Sequence, residues 1–416
     1  MLRQTATAAL ATLGLAGAAG AVEIEYWQYF FDTRVEAMEQ LIEAFEAANP
    51  DITVTMTTFP YDSYRTKVAA AIPAGEGPDV VQLFYGWLED YKAAGLIQPL
   101  PADAFPAAEI DETFFPMVQA MKEGDQYWAL PTAVRSLALF YNERLMEEAG
   151  IDGPPETLDE LMEAARAMTV RDAAGNITQA GLTAGMTAQD HHWWREVLVR
   201  QFGGQPYADE TATQVAYDSD AGRAALEFYM GLTEGEDAVT TIGFMDEPQA
   251  AFRAGLAGMH IDGSFRIGAL EEARGLQWGV AELPAGPDGT RSNYASYWVN
   301  AITSKAKGEE LEAAAKFMAY IVSDEAMQLW LDVVGELPAK PSVGLTPENA
   351  DDPVYGPFIR GLEYAQTTRF ANESAQRDVL VKMVERVDLE GQSIADSLAQ
   401  AAAEEQAILD EASASN

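Results

Sequence analysis

Two loops in this chain are unusually rich in aromatic residues. Gln28-Tyr29-Phe30-Phe31-Asp32 follows one apolar run, and Phe84-Tyr85-Gly86-Trp87 follows another. A sugar ring has an apolar C–H face and a rim of hydroxyls, so an aromatic wall with a few polar groups is the chemistry that binds it. Tyr29, Phe31 and Trp87 fall in a loop or a first helical turn, where ligand contact is expected, with Gln28 and Asp32 as polar neighbours. Tyr26 and Phe84 read instead as packing residues. A second constellation is Asp262-Gly263-Ser264-Phe265, the end of one run and the start of another. Gly263 and Ser264 there offer amides to hydroxyls or an anion, or Ser264 is a plain N-cap. In Tyr297-Trp298-Val299-Asn300 strand alternation puts Trp298 and Asn300 on one face, as candidates for ligand contact. Arg369, in a loop before a late helix, is a candidate for an anionic substituent.

The surrounding pattern supplies strands that end at these loops. Val22–Gln28 reads as a strand, followed by a capping box of Thr33 and Glu36 and a helix that stops at Asn49-Pro50. Ile52, Val54 and Met56 alternate as in a strand, a helix covers about 63–72, and Val80–Phe84 is a buried strand. Strand–helix–strand order of this kind gives parallel strands with crossover helices. The same order returns: Leu137–Tyr141, a second capping box at Thr157 and Glu160, Gly258–Asp262 and Gln277–Ala281. The last third is mostly helical and closes with two long amphipathic helices after Ser374 and Gly391. No fixed-period repeat is visible, which excludes solenoids and propellers.

Composition narrows the function classes. The chain has 416 residues, with 66 Asp+Glu against 26 Lys+Arg and a formal net charge of -40, so phosphate-directed nucleic-acid binding is not expected. The acidity reads as solubility in a salty medium. Zero cysteines exclude disulfides, thiol nucleophiles and Cys-based zinc sites, and 3 histidines leave little for metal chemistry. The length suits two or three domains. Arg3, the small apolar stretch Ala8 to Ala19, and Ala19-Gly20-Ala21 form a signal-peptide pattern over residues 1–21. Cleavage after Ala21 and a soluble, exported mature chain in the periplasm are expected.

Four further stretches carry a family resemblance. They are Gly75-Glu76-Gly77-Pro78-Asp79-Val80-Val81 running on to Gly95-Leu96-Ile97-Gln98-Pro99-Leu100; Trp128-Ala129-Leu130-Pro131 with Leu139-Phe140-Tyr141-Asn142; Ala251-Phe252-Arg253-Ala254-Gly255 with Met259 to Ser264; and Leu283-Pro284, Trp298-Val299-Asn300 and Ser323-Asp324-Glu325-Ala326. In this order the chain resembles the periplasmic solute-binding proteins of ABC importers, in the family that contains the maltose-binding protein. The resemblance implies an α/β fold of the two-lobed, type II-like kind, with about three crossing segments and extra C-terminal helices. Crossings are expected near Pro131–Arg135, near Trp278–Leu283 and near Pro338–Leu345. Lobe one is then 22–133 plus 284–338, and lobe two 136–280 plus 345–416. Closure of the lobes on a carbohydrate ligand, followed by recognition by the permease transmembrane subunits, is implied as well.

Carried over residue by residue, the resemblance places Tyr85, Gly86 and Trp87 at the family's sugar-contacting loop. Gly86 and Trp87 replace a charged pair there, which argues against maltodextrins. Arg135 stands in a crossing segment at a position otherwise acidic, and suits an acidic or hydroxyl-rich ligand or a salt bridge across the hinge. His191-His192-Trp193-Trp194 stands where an aromatic platform is often kept; adjacent helical residues diverge by about 100°, and Trp193 is favoured over Trp194, beside His191. Phe265 aligns with a platform aromatic. His191 and His192 are not expected to hold a metal, because neighbours on a helix do not converge.

The rival readings are a glycan-cleaving hydrolase and a binder of another polar cargo, such as a sugar acid, sulfonated sugar, glycerol phosphate ester or polyamine. The chain contains no Gly-x-Ser-x-Gly elbow, Walker loop, zinc motif or dinucleotide fingerprint. Expected, then, is a non-enzymatic monomer without catalytic residues, cofactor or metal.

Overall fold

The computed structural model describes residues 21–209, 212–245 and 247–415, so the signal-peptide expectation for residues 1–20 falls outside them. In chain order the main elements are β1 (Val22–Tyr29), α1 (Asp32–Ala48), β2 (Ile52–Phe59), α2 (Tyr61–Ala74), β3 (Val80–Phe84) and the long β4 (Leu130–Asn142). Next come α3 (Leu158–Met168), β5 (Ile177–Leu182), α4 (Asp220–Met230), β6 (Ala257–Gly263), β7 (Trp278–Ala281) and β8 (Asn293–Ile302). The chain ends with α5 (Gly308–Ile321), α6 (Asp324–Val334), β9 (Leu337–Pro338), α7 (Glu373–Asp388) and α8 (Ile394–Ser415).

Local sequence explains most of these. In β2, Ile52 and Val54 are buried and Thr53 and Thr55 exposed, the period of a half-buried strand. In β3 the first four residues are all buried, as for a strand covered on both faces. The capping box at Thr157 forms: its side chain accepts from Glu160 N, and Glu160 Oε2 accepts from Thr157 N. The expected box at Thr33 and Glu36 does not. Here α1 begins two residues earlier, Phe31 occupies the N-cap and no side chain caps it.

The central sheet runs β2-β1-β3-β8-β4-β6-β5. β1 pairs in parallel with β2 and β3, the crossover arrangement of an α/β lobe. β8 and β4 are antiparallel insertions, and β4 goes on to pair with β6 through Leu137–Tyr141. The first half of β4 therefore pairs with β8 and the second half with β6. β8 runs beside it, Ala295 opposite Ser136 and Asn300 opposite Leu130. The register of this pair shifts between Trp298 and Val299, where Thr132 is the extra residue on β4. The segment near Trp278–Leu283, where a crossing is expected, contains β7, which pairs antiparallel with Leu139–Asn142. β9 pairs with Ala133 and Val134 beside the first crossing. The two C-terminal helices pack on each other and on lobe two, where a buried Arg195–Glu405 ion pair joins α8 to the segment before α4.

Candidate ligand-binding cleft

The loops at the C-terminal ends of the lobe-one strands converge on Trp298. Tyr29, from the end of β1, lies 4.3 Å from it between ring centroids, and Trp87, after β3, meets it edge-on at 5.4 Å. Tyr61, at the start of α2, contacts both Tyr29 and Trp298. The strand ends of an open α/β sheet are where its ligands sit. Among the described residues, the large exposed apolar side chains that are aromatic are Phe30, Phe31, Tyr61 and Phe265, at 52, 53, 57 and 37% exposure. The first three belong to the loops of this wall, and Phe265 faces its arginine from lobe two.

Charge sits in the floor. Arg34, on the first turn of α1, is fully buried and lies over the rings of Tyr29 and Trp298 at 4.8 and 5.7 Å. It is paired with Glu336, whose same Oε1 accepts from Arg135 Nε at 2.7 Å. Oε2 accepts from Trp330 Nε1 at 2.9 Å. Gly335, with φ 74°, ends α6 in the left-handed conformation and turns Glu336 inward at once. Burial pushes the Glu336 carboxyl up, but Arg135 and Arg34 outweigh it and hold the pKa at about 2. The Arg135 guanidinium in turn lies 5.2 Å from the Phe265 ring centre, across from lobe two. Arg135 therefore makes the salt bridge at the hinge and also faces the opposite lobe.

On the lobe-two side, Asp262 is buried and accepts from Gly263 N, Arg266 Nε and the His260 ring. Burial raises its pKa, yet the His260 and Arg266 contacts leave it below the ordinary value. A Cβ on Gly263 would come within 2.2 Å of the Phe265 ring, so glycine lets that ring lie against the backbone. Ser264 is no N-cap: its Oγ is buried without a partner. Tyr85 is buried and its hydroxyl meets Tyr294 at 2.8 Å; Tyr294 stacks on His192 at 3.8 Å. Gly86 fits tightly, since a Cβ would stand 2.8 Å from the Phe84 ring and 3.1 Å from that of Phe370. His191 Nδ1 pairs with the Ala188 carbonyl, and its Nε2 has no partner. Burial and Arg195 lower the His191 pKa to about 3, which leaves the ring neutral.

Several expected residues lie apart from this cluster. Trp193 is 1% exposed and packs on Phe228 and Tyr229 in the lobe-two core, and Trp194 packs on Tyr217. The segment Trp193–Leu198 is π-helical, and its wider turn changes where successive residues point. Asn300 shares the face of Trp298, since β8 keeps a regular register with β3 there, but it lies deeper, buried and bonded to Tyr26 and Thr132. Gln28 is buried there too, its Oε1 accepting from Tyr26 and its Nε2 unpartnered. Asp32 is exposed at the start of α1. Arg369 donates to the Gln119 carbonyl and lines a separate groove of about 590 Å³ with Glu89, Lys92 and Leu409. Sequence reasoning missed Arg34, Tyr61 and Glu336. The one available signal was an arginine on the otherwise apolar face of α1. Among the described residues no group of His, Asp and Glu side chains could hold a metal ion, and no helix is long and apolar enough to cross a membrane.

The sequence profile of the bacterial extracellular solute-binding protein family matches residues 40–356. The chain belongs to that family. Similar relatives of this solute-binding protein include the maltotriose-binding protein of Pyrococcus abyssi, 27% identical over 83% of this chain and 73% of the relative. The sn-glycerol-3-phosphate-binding periplasmic protein of Escherichia coli is 25% identical over 83% of this chain and 81% of its own. Among solved structures, the cyclic alpha-maltosyl-1,6-maltose binding protein of Arthrobacter globiformis superposes with a TM-score of 0.82 at 19% identity, covering 94% of this chain and 99% of that one. The sugar-binding protein MalE of Xanthomonas citri gives 0.79 at 20% identity, over 94 and 98%. The solute-binding protein thus has the two-lobed fold of these neighbours.

Proposed function

We propose that the protein is the solute-binding component of an ABC importer for a saccharide or sugar derivative, which it holds between its lobes and releases unchanged. The observation that carries this reading is the gathering of Tyr29, Tyr61 and Trp87 around Trp298 beside the Arg34–Glu336–Arg135 floor, with the Phe265 ring over Arg135. Aromatic faces cover the C–H side of a sugar ring while the guanidinium edge and nearby amides take its oxygens. The names of the relatives, which bind maltotriose or a glycerol phosphate, support a hydroxylated cargo. In this reading the protein works in the periplasm as a monomer, docks on permease transmembrane subunits and performs no catalysis. Lobe one comprises β1 to β3, the first half of β4, the second half of β8, α5 and α6; lobe two comprises the rest of β4, β5 to β7, α7 and α8. The ligand contacts are Tyr29, Phe31, Tyr61, Trp87, Arg135, Ser264, Phe265 and Trp298.

A thermal-shift screen of mono- and oligosaccharides, sugar acids and polyols tests this. A bound ligand at 100 times its Kd adds about 2.7 kcal/mol of apparent stability. Recovery of that ligand intact after incubation is expected. A screen in which no sugar or sugar derivative shifts unfolding, or in which the ligand is consumed, rejects the reading.

A further inference from the structure

We propose that the cargo carries an anionic group, a carboxylate or a phosphate monoester on a sugar or polyol, which sits at the Arg34–Arg135 guanidinium pair. This rests on the reading of the cleft given above and makes its substrate class narrower.

The argument is one of charge. Two guanidinium groups share one carboxylate, and both donate to the same oxygen of Glu336. The other oxygen is taken by the neutral indole of Trp330. The group therefore holds one positive charge more than it holds negative. Arg266 is neutralised by Asp262 at 2.6 Å, and Glu373 is engaged by Arg377 at 3.6 Å. Arg34 is 1% exposed and its Nη1 has no hydrogen-bond partner. A buried guanidinium N–H left without an acceptor is unfavourable even beside a counter-charge.

The geometry suits an anion better than a hydroxyl. The Tyr29 and Trp298 rings lie against Arg34, and the Phe265 ring against Arg135. Stacking occupies guanidinium faces; Glu336 takes Arg34 Nη2 and Arg135 Nε and Nη2, which leaves the 20% exposed Arg135 edge to meet an oxyanion and Arg34 as the buried charge behind it. Across the cleft, the residue before Phe265 contributes the buried, unpartnered Ser264 Oγ, a further donor to an oxyanion. The chain's net charge of -40 works against anions only at long range, where salt beyond about 8 Å screens it.

Calorimetry on the mature protein with matched pairs decides the point: D-glucose against D-glucuronate, D-galactose against D-galacturonate, and glycerol against sn-glycerol 3-phosphate. At least one anionic member is expected to bind about 10-fold or more tightly than its neutral partner, and the pair that responds distinguishes carboxylate from phosphate. Raising sodium chloride should weaken the anionic member more than the neutral one. Arg135→Gln should abolish the preference and Arg135→Lys keep part of it. The ratio measured on the unaltered protein stands even if a variant fails to fold. Equal or tighter binding of the neutral members overturns the anionic cargo and leaves the saccharide reading in place. Binding of no member overturns the anionic cargo too, and the wider sugar screen then decides the saccharide reading by itself.

Discussion

Arg135 and Glu336 come from the two stretches of chain that pass beside each other at the junction of the lobes, and Arg135 Nε donates to Glu336 Oε1 at 2.7 Å. Arg135 lies on β4, and Glu336 immediately precedes β9, which pairs with that same strand. The link therefore ties the hinge to the cleft floor.

Removing the carboxylate leaves two guanidinium groups without their shared partner. Glu336→Gln is expected to lower the free energy of unfolding by about 3–5 kcal/mol near neutral pH. The folded pKa is about 2 and the ordinary value 4.5, so the contribution is present above pH 4.5 and lost as pH falls through 2. Urea unfolding of both proteins at pH 7 and pH 3 checks this. A gap between them that does not shrink in acid would refute the assignment.

Asp190 is the opposite case. It is buried in lobe two, and one oxygen accepts from Gly185 N at 2.7 Å and from Tyr229 Oη at 2.8 Å. Burial raises its pKa from 3.8 to about 6 despite those bonds. A raised value means that its stabilising effect is full below pH 3.8 and lost as pH rises through 6. Asp190→Asn should thus gain about 1 kcal/mol relative to the parent between pH 5 and 7.5. Melting curves at the two pH values test it, and parallel behaviour would count against it.

The aromatic wall divides into structural and recognition residues. Trp298, 7% exposed, packs against Tyr29, Phe84 and Trp87, so Trp298→Ala should cost about 3–5 kcal/mol of stability as well as affinity. Tyr61, 57% exposed, should lose affinity about 10-fold on Tyr61→Ala with a change in stability below about 1 kcal/mol. Calorimetry and melting of the pair read both numbers. A Tyr61 variant that binds normally would remove that ring from the site.

Gly86 is held between two rings. Gly86→Ala places a methyl 2.8 Å from Phe84 and 3.1 Å from Phe370, and Phe370 also contacts Tyr85 and, at 6.2 Å, His192. The side chains can yield, so the expected loss of stability is about 1 kcal/mol, while displacement of Phe370 should weaken ligand binding several-fold. Unchanged affinity in the variant would show that the Phe370 contact does not matter for binding.

Much of the fold was legible in local sequence. The strand at Val80–Phe84, the capping box at Thr157 and the two C-terminal helices each follow from a few neighbouring residues. The site was legible only where it is also local, as in the aromatic loops after β1 and β3. Trp193 and Asn300 are both 1% exposed: a π-helical turn alters where Trp193 points, and strand alternation gives the face of Asn300 but not its depth. Glu336 left no signature among 66 acidic residues, because its partners Arg34 and Arg135 lie 302 and 201 positions away in the chain.

β4 passes from one half of the molecule to the other as a single strand, Leu-Pro-Thr-Ala-Val-Arg-Ser-Leu-Ala-Leu-Phe-Tyr-Asn, and neither it nor β8 contains a glycine. Such a joint behaves as a leaf spring rather than a swivel. Any gaping of the mouth has to wind both ribbons along their length, which spreads the torsion over many peptide planes and makes the return elastic.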